Sequence, residues 1–154
     1  DPVEAYAAAT PGDADNLITT LTYADGSIAK LAYVTHGDPK YPKEMMEVFA
    51  DGKVARMDNF RRTEIWRDGK CRTSRAAGID KGQKQELAAF IEAVKSGGAM
   101  PVPVESLIAT TAATFAVARS VATRRAERVA GWANWDQAED DTAVTAYSEA
   151  GAGQ

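Results

Sequence analysis

Residues 16–75 read NLITTLTYADGSIAKLAYVTHGDPKYPKEMMEVFADGKVARMDNFRRTEIWRDGKCRTSR. Apolar and polar residues nearly alternate through this stretch, and Asp-Gly interrupts it three times, at Asp25-Gly26, Asp51-Gly52 and Asp68-Gly69. Glycine supplies the positive φ that a tight hairpin needs and aspartate tolerates the neighbouring position, so the pattern predicts an antiparallel meander. Strands are expected over residues 16–23, 27–35, 44–50, 53–58, 63–67 and 70–75. Residues 36–42, broken by Gly37, Pro39 and Pro42, are expected as a loop. Residues 2–9 offer a further first strand, ended by Pro11-Gly12-Asp13.

Two helical patterns follow. Over residues 81–96, Leu87, Phe90, Ile91 and Val94 recur at helical spacing, with Asp80 placed to cap, Gln83 to reach back, and Gly97-Gly98 to stop the helix. The prolines of Met100-Pro101-Val102-Pro103 hold an extended linker. Over residues 104–125 one stripe carries Leu107, Ile108, Thr111, Phe115, Ala118 and Ala122, while Ala109, Ala112, Ala113 and Ala116 allow close approach. Strands first and helices afterwards define an α+β class: an open, mostly antiparallel sheet of about six to seven strands with the two C-terminal helices packed on one face.

The chain has 154 residues, 45% hydrophobic and 26% charged, enough for one soluble domain with its own core. A single cysteine, Cys71, and a single histidine, His36, exclude an internal disulfide and a His/Cys metal cluster within one chain. A reducing compartment is the default. The first residues have neither the basic segment nor the long apolar run of a signal peptide, and no run approaches the roughly 18 residues of a membrane span, so a cytoplasmic, non-membrane protein is expected. The formal net charge of −4 is unevenly placed. Residues 126–154 set Glu127, Asp136, Glu139, Asp140, Asp141 and Glu149 against Arg128 alone. The organisation expected is therefore a body over residues 1–125 and an acidic, Ala/Gly-rich tail over 126–154, anchored by Trp132 and Trp135.

Neither face of the early strands is strongly charged. Ile18, Thr20 and Thr22 lie opposite Leu17, Thr19, Leu21 and Tyr23, and Ile28, Ala32 and Val34 lie opposite Ala29, Leu31 and Tyr33. A wet face would carry Lys and Glu at every second position, so the second face is expected to be buried against a partner. The later strands turn basic: residues 53–75 hold Lys53, Arg56, Arg61, Arg62, Arg67, Lys70, Arg72 and Arg75 against Asp58, Glu64 and Asp68. Charge placed there blunts a sheet edge. With Phe60 and Trp66 between the bases the run could also hold an anion, but a pI of about 5.1 is far from a nucleic-acid footprint. No Gly-rich phosphate loop and no dinucleotide fingerprint occurs. His36, in a Gly/Pro loop, reads as a surface or hydrogen-bonded residue, and Cys71, without a nearby base, as an incidental thiol.

Four stretches taken in order resemble one family: D-N-L-I-T-T-L-T-Y-A-D-G-S-I-A-K-L-A-Y, then Y-P-K-E-M-M-E-V-F-A-D-G-K-V-A-R-M-D-N-F, then K-G-Q-K-Q-E-L-A-A-F-I-E-A-V-K-S-G-G, then P-V-P-V-E-S-L-I-A-T-T-A-A-T-F-A-V-A-R-S. Together they are similar to the C-terminal domain of the glucose-fructose oxidoreductase / inositol dehydrogenase (Gfo/Idh/MocA) family, over residues 2–125. The resemblance implies an open sheet backed by helices whose exposed face makes a dimer or higher homo-oligomer. It also implies a parent that transfers hydride between NAD(P) and a sugar-like or polyol hydroxyl. Family enzymes carry an N-terminal Rossmann domain, a Glu-Lys-Pro lysine and an Asp-x-x-x-His helix ahead of the strand that residues 2–9 resemble, and none of these occurs in this chain.

The chain is accordingly expected to be a truncated substrate-binding and oligomerisation domain. Alone it would be inactive, with no catalytic, cofactor or metal residues, and His36 does not occupy the catalytic place. The substrate contacts expected are Lys81, at the sheet-to-helix junction, and Tyr41, Lys43 and Arg61 in loops or at strand ends. The alternative is a stand-alone module that uses the same sheet to bind a protein or an anionic ligand.

Overall fold

The computed structural model describes residues 1–131. Its elements run β1 (Pro2–Thr10), β2 (Asp13–Tyr23), β3 (Ile28–Tyr33), β4 (Met45–Ala50), β5 (Lys53–Asp58), β6 (Arg62–Arg67), β7 (Lys70–Arg75), α1 (Gln83–Ser96), α2 (Val104–Thr123) and β8 (Glu127–Arg128). The class is α+β and every strand pair is antiparallel. The strands form two four-stranded sheets, in the orders β3-β2-β1-β8 and β4-β5-β6-β7, rather than one continuous meander. The division falls in the segment with Gly37, Pro39 and Pro42, where missing N–H groups and fixed φ values prevent a hairpin from joining β3 to β4. The described residues correspondingly form two compact units, 1–37 with 102–131, and Asp38–Pro101.

In the first unit α2 lies on β1. The register Ala5↔Leu21, Ala7↔Thr19 and Thr19↔Leu31 puts these residues on the helix side of the sheet. The contact itself is made of small groups: Ala5, Ala7 and Thr19 from the sheet and Ala112, Ala113, Ala116 and Ser120 from the helix are buried. Without long side chains between them the two backbones come close. The packing face of α2 is thus the alanine stripe, and of the larger stripe expected from the sequence Leu107, Thr111 and Ala122 are exposed while Ile108, Phe115 and Ala118 are half-buried.

Polar groups sealed in this contact are satisfied. β8 is two residues long and pairs only with Glu4 and Ala5. The next strand N–H on that margin, Ala7, donates to Ser120 Oγ at 2.8 Å, and the same hydroxyl donates to the carbonyl of Arg125. Thr19 Oγ1 donates to the Tyr6 carbonyl at 3.0 Å. Arg119, nearly buried, donates from Nη2 to the Arg128 carbonyl at 2.9 Å, and Thr123 Oγ1 donates to Glu127 Oε1 at 2.7 Å. The end of α2 is thereby fastened to β8, the first residues of the stretch read as a tail. Trp132, Trp135 and the acids from Asp136 onward lie outside the described residues.

In the second unit the Asp-Gly turns behave as read. Asp51 and Gly52 have φ of 49° and 70°, and Asp68 and Gly69 have 52° and 70°, the left-handed pair of a two-residue hairpin. Asp25-Gly26, in the first unit, is a different turn. Only Gly26 has positive φ, its N–H donates to the Tyr23 carbonyl at 3.0 Å, and the Tyr23 N–H donates to the Ser27 carbonyl at 2.9 Å, giving a three-residue loop with a bulge. Helix α1 begins after Gly82, which has φ of 82°, so Asp80 is not its cap. The Asp80 carboxylate accepts instead from the Gly82 N–H at 2.9 Å and from Gln85 Nε2, not Gln83. The stripe Leu87, Phe90, Ile91 and Val94 is exposed, and Ala93 is the one buried residue of α1.

Two outcomes follow from these contacts. Ser120→Ala leaves the buried Ala7 N–H unpaired and lowers stability by about 1–3 kcal/mol in urea unfolding, against a negligible change for Thr110→Ala on the exposed helix face. The Ser27 N–H, donated to Asp25 Oδ1 at 2.9 Å, holds the Asp25 carboxyl below its ordinary 3.8. Its contribution to the hairpin is therefore complete above the ordinary carboxylate range and is lost as pH falls through the depressed value. Amide shifts of Ser27 followed by NMR during acidification report that loss, and Asp25→Asn removes the titration.

Candidate functional site

One end of the second unit gathers three separate segments. The Asn59 N–H donates to the Glu44 carbonyl at 2.6 Å, closing the start of β4 against the β5–β6 turn. Asn59 and Phe60 both take left-handed φ there, 46° and 55°, a conformation that costs a bulky residue. The Ala76 N–H donates to the Arg61 carbonyl at 2.8 Å, so the chain leaving β7 returns past the same turn. The segment before α1 then delivers Lys81, whose Nζ lies 2.5 Å from Glu44 Oε1 and 5.5 Å from the centroid of Phe60.

Of the four residues singled out in the sequence, Lys81 is the one held in a constellation. Tyr41 is exposed in a turn where its N–H donates to the Asp38 carbonyl at 2.9 Å. Lys43 is exposed beside Glu44, and Arg61 is exposed and tied through its backbone. Glu44 and Phe60 were not among the expected contacts. Glu44 stands 37 residues from Lys81, and no periodicity links them. The arrangement offers a fixed ammonium donor, a carboxylate acceptor and an aromatic flank, which suits a hydroxyl-bearing ligand. Both partners of the ion pair are about two-fifths exposed, so the pair itself adds little stability.

The single histidine, in the first unit, belongs to a structural network. His36 Nε2 lies 3.1 Å from Asp13 Oδ2, which also accepts from Asn16 Nδ2 at 2.6 Å, and Asn16 Oδ1 accepts the Thr35 N–H at 2.9 Å. This network ties the open end of the β2–β3 hairpin. A shallow, mostly apolar hollow of about 380 Å³ beside it is lined by Ala8, Thr10, Leu17, Ile18, Val34 and His36. Cys71 is exposed, its Sγ 4.0 Å from Thr73 Oγ1. Among the described residues no three His, Cys, Asp or Glu side chains converge as a metal site, and no helix is long and apolar enough to cross a membrane.

No protein-family model matches the chain, and no curated protein sequence matches it significantly. Solved structures do share its fold, among them oxidoreductases and sugar dehydrogenases. An oxidoreductase from Agrobacterium radiobacter, in complex with NAD+, L-tartaric acid and magnesium, superposes with a TM-score of 0.67 and 13% identity over 84% of this chain and 44% of its own. Levoglucosan dehydrogenase in complex with NADH gives 0.67 and 16% over 85% and 45%. UDP-N-acetylglucosamine 3-dehydrogenase from Acidithiobacillus ferrooxidans gives 0.53 and 20% over 65% and 33%. The chain thus spans less than half the length of the structures it matches.

Lys81→Ala removes a half-exposed ion pair and a cation–π contact; it lowers stability by no more than about 1 kcal/mol in urea unfolding, and a much larger loss would make Lys81 a structural residue instead.

Proposed function

We propose that this chain is the substrate-binding and oligomerisation domain of an NAD(P)-dependent oxidoreductase that acts on a sugar-like or polyol hydroxyl. The observation that carries the reading is the superposition itself: about 85% of this chain corresponds to 45% of a levoglucosan dehydrogenase bound to NADH. In this reading the nicotinamide is held by a separate Rossmann domain, the described residues complete the substrate side, and the domain alone is inactive. Lys81 donates to a substrate hydroxyl and Glu44 accepts from one, the two groups fixing a polyol by complementary hydrogen bonds. The oligomer forms through the open sheet face. The side of the first sheet away from α2 carries exposed Tyr6, Ile18 and Ile28, with Glu4, Lys30 and Arg128 as charges among its paired positions, which suits apposition of a second copy. A cytoplasmic location accords with the single cysteine.

Calorimetric titration of the purified chain with NAD+ and NADP+, alongside assays with levoglucosan and inositol, tests this. Neither cofactor binds at sub-millimolar concentration and neither polyol is turned over; micromolar cofactor binding, or turnover by the chain alone, contradicts the reading.

A further inference from the structure

We infer that the free edge of β7 accepts an extended acidic peptide as an added strand. Among the described residues β7 pairs with β6 alone and ends its sheet. The pairing runs from Arg67↔Lys70 to Arg62↔Arg75 without a shift. Residues flanking a two-residue turn form a hydrogen-bonded pair, so the backbone groups of Lys70, Arg72 and Ser74 turn towards β6. Those of Cys71, Thr73 and Arg75 turn outward. All six residues of the strand are exposed.

Protein edges are usually closed by a proline, a bulge, a covering element or charged side chains, and β7 has neither proline nor bulge. What it has is charge of one sign. Arg62 and Arg67 on β6 are neutralised by Glu64 and Asp68, whereas Lys70, Arg72 and Arg75 form no ion pair among the described residues. Three uncompensated cations repel a second β7 and favour an acidic strand. The side chains also sort by face. Lys70, Arg72 and Ser74 share one face, while Cys71, Thr73 and Arg75 share the other, where Cys71 stands opposite Trp66 and Arg75 lies at the far end of the strand. A fitting peptide alternates, with Glu or Asp on the Arg72 side and β-branched residues on the Thr73 side. Backbone bonds to Cys71, Thr73 and Arg75 supply the affinity and the alternation supplies the selectivity.

A labelled Glu/Val-alternating peptide and its Lys/Val counterpart, titrated by fluorescence anisotropy into the intact chain, test this. The acidic peptide binds, the basic one does not, and amide exchange slows at Cys71, Thr73 and Arg75. Thr73→Pro removes an outward N–H while sparing the ladder to β6, and weakens binding about tenfold or more with an unchanged circular dichroism spectrum. Arg72→Glu weakens it as well, and raising the salt from about 50 to about 500 mM does so by screening. Absence of binding at millimolar peptide overturns the inference. Binding that Thr73→Pro leaves intact also overturns it, since that result describes adsorption of anions to basic side chains rather than strand addition.

Discussion

Everything in the first unit rests on the contact between the methyl groups of Ala5 and Ala7 and those of Ala112, Ala113 and Ala116. Only small side chains let a helix settle so near a strand that a serine hydroxyl can reach a strand amide, and Ser120 does this with the Ala7 N–H at 2.8 Å. Close packing and polar satisfaction are therefore one arrangement. A larger residue at Ala116 would lift the helix and at once orphan a buried donor.

Such a core is narrow. Each alanine removes little apolar area from water, and burial stabilises by roughly 25 cal/mol per Å². The large apolar groups lie elsewhere and stay accessible: Leu31 and Tyr33 sit on β3, beyond the reach of a helix that covers β1, and Leu107, Phe90 and Ile91 face outward from their helices. Accessible apolar area on this scale fits a piece built to be covered by another body. That is the physical side of the proposal that the chain supplies one half of an oxidoreductase. The basic edge of β7 differs in kind, being backbone and charge rather than apolar surface.

The strands and helices were legible because their cues are local. Asp51-Gly52 and Asp68-Gly69 carry the turn chemistry in two residues, and the α1 stripe and its Gly97 stop are complete within one segment. Even Asp25-Gly26 marked a hairpin, though its turn is of another type. The division into two sheets was written only as a Gly/Pro loop, which says that a hairpin is absent but not where the next strand goes. The stripe of α2 through Leu107 was favoured because hydrophobic periodicity rewards large side chains, whereas β1, with Ala5 and Ala7, packs on the small residues read as allowing close approach, Ala112, Ala113 and Ala116. At the candidate site Lys81 was visible from its place before a helix. Glu44 and Phe60 were not, since they join it through a turn conformation and a chain return that no spacing encodes.

Residue-resolved hydrogen exchange under native conditions probes this division between a sealed alanine contact and an open sheet most directly. The account requires the Ala7, Thr19 and Ala116 amides to exchange only through global unfolding, while the Cys71, Thr73 and Arg75 amides exchange close to the rate of unstructured peptide. Rapid exchange at Ala7, or protection of the β7 amides equal to that of Ala116, would contradict it.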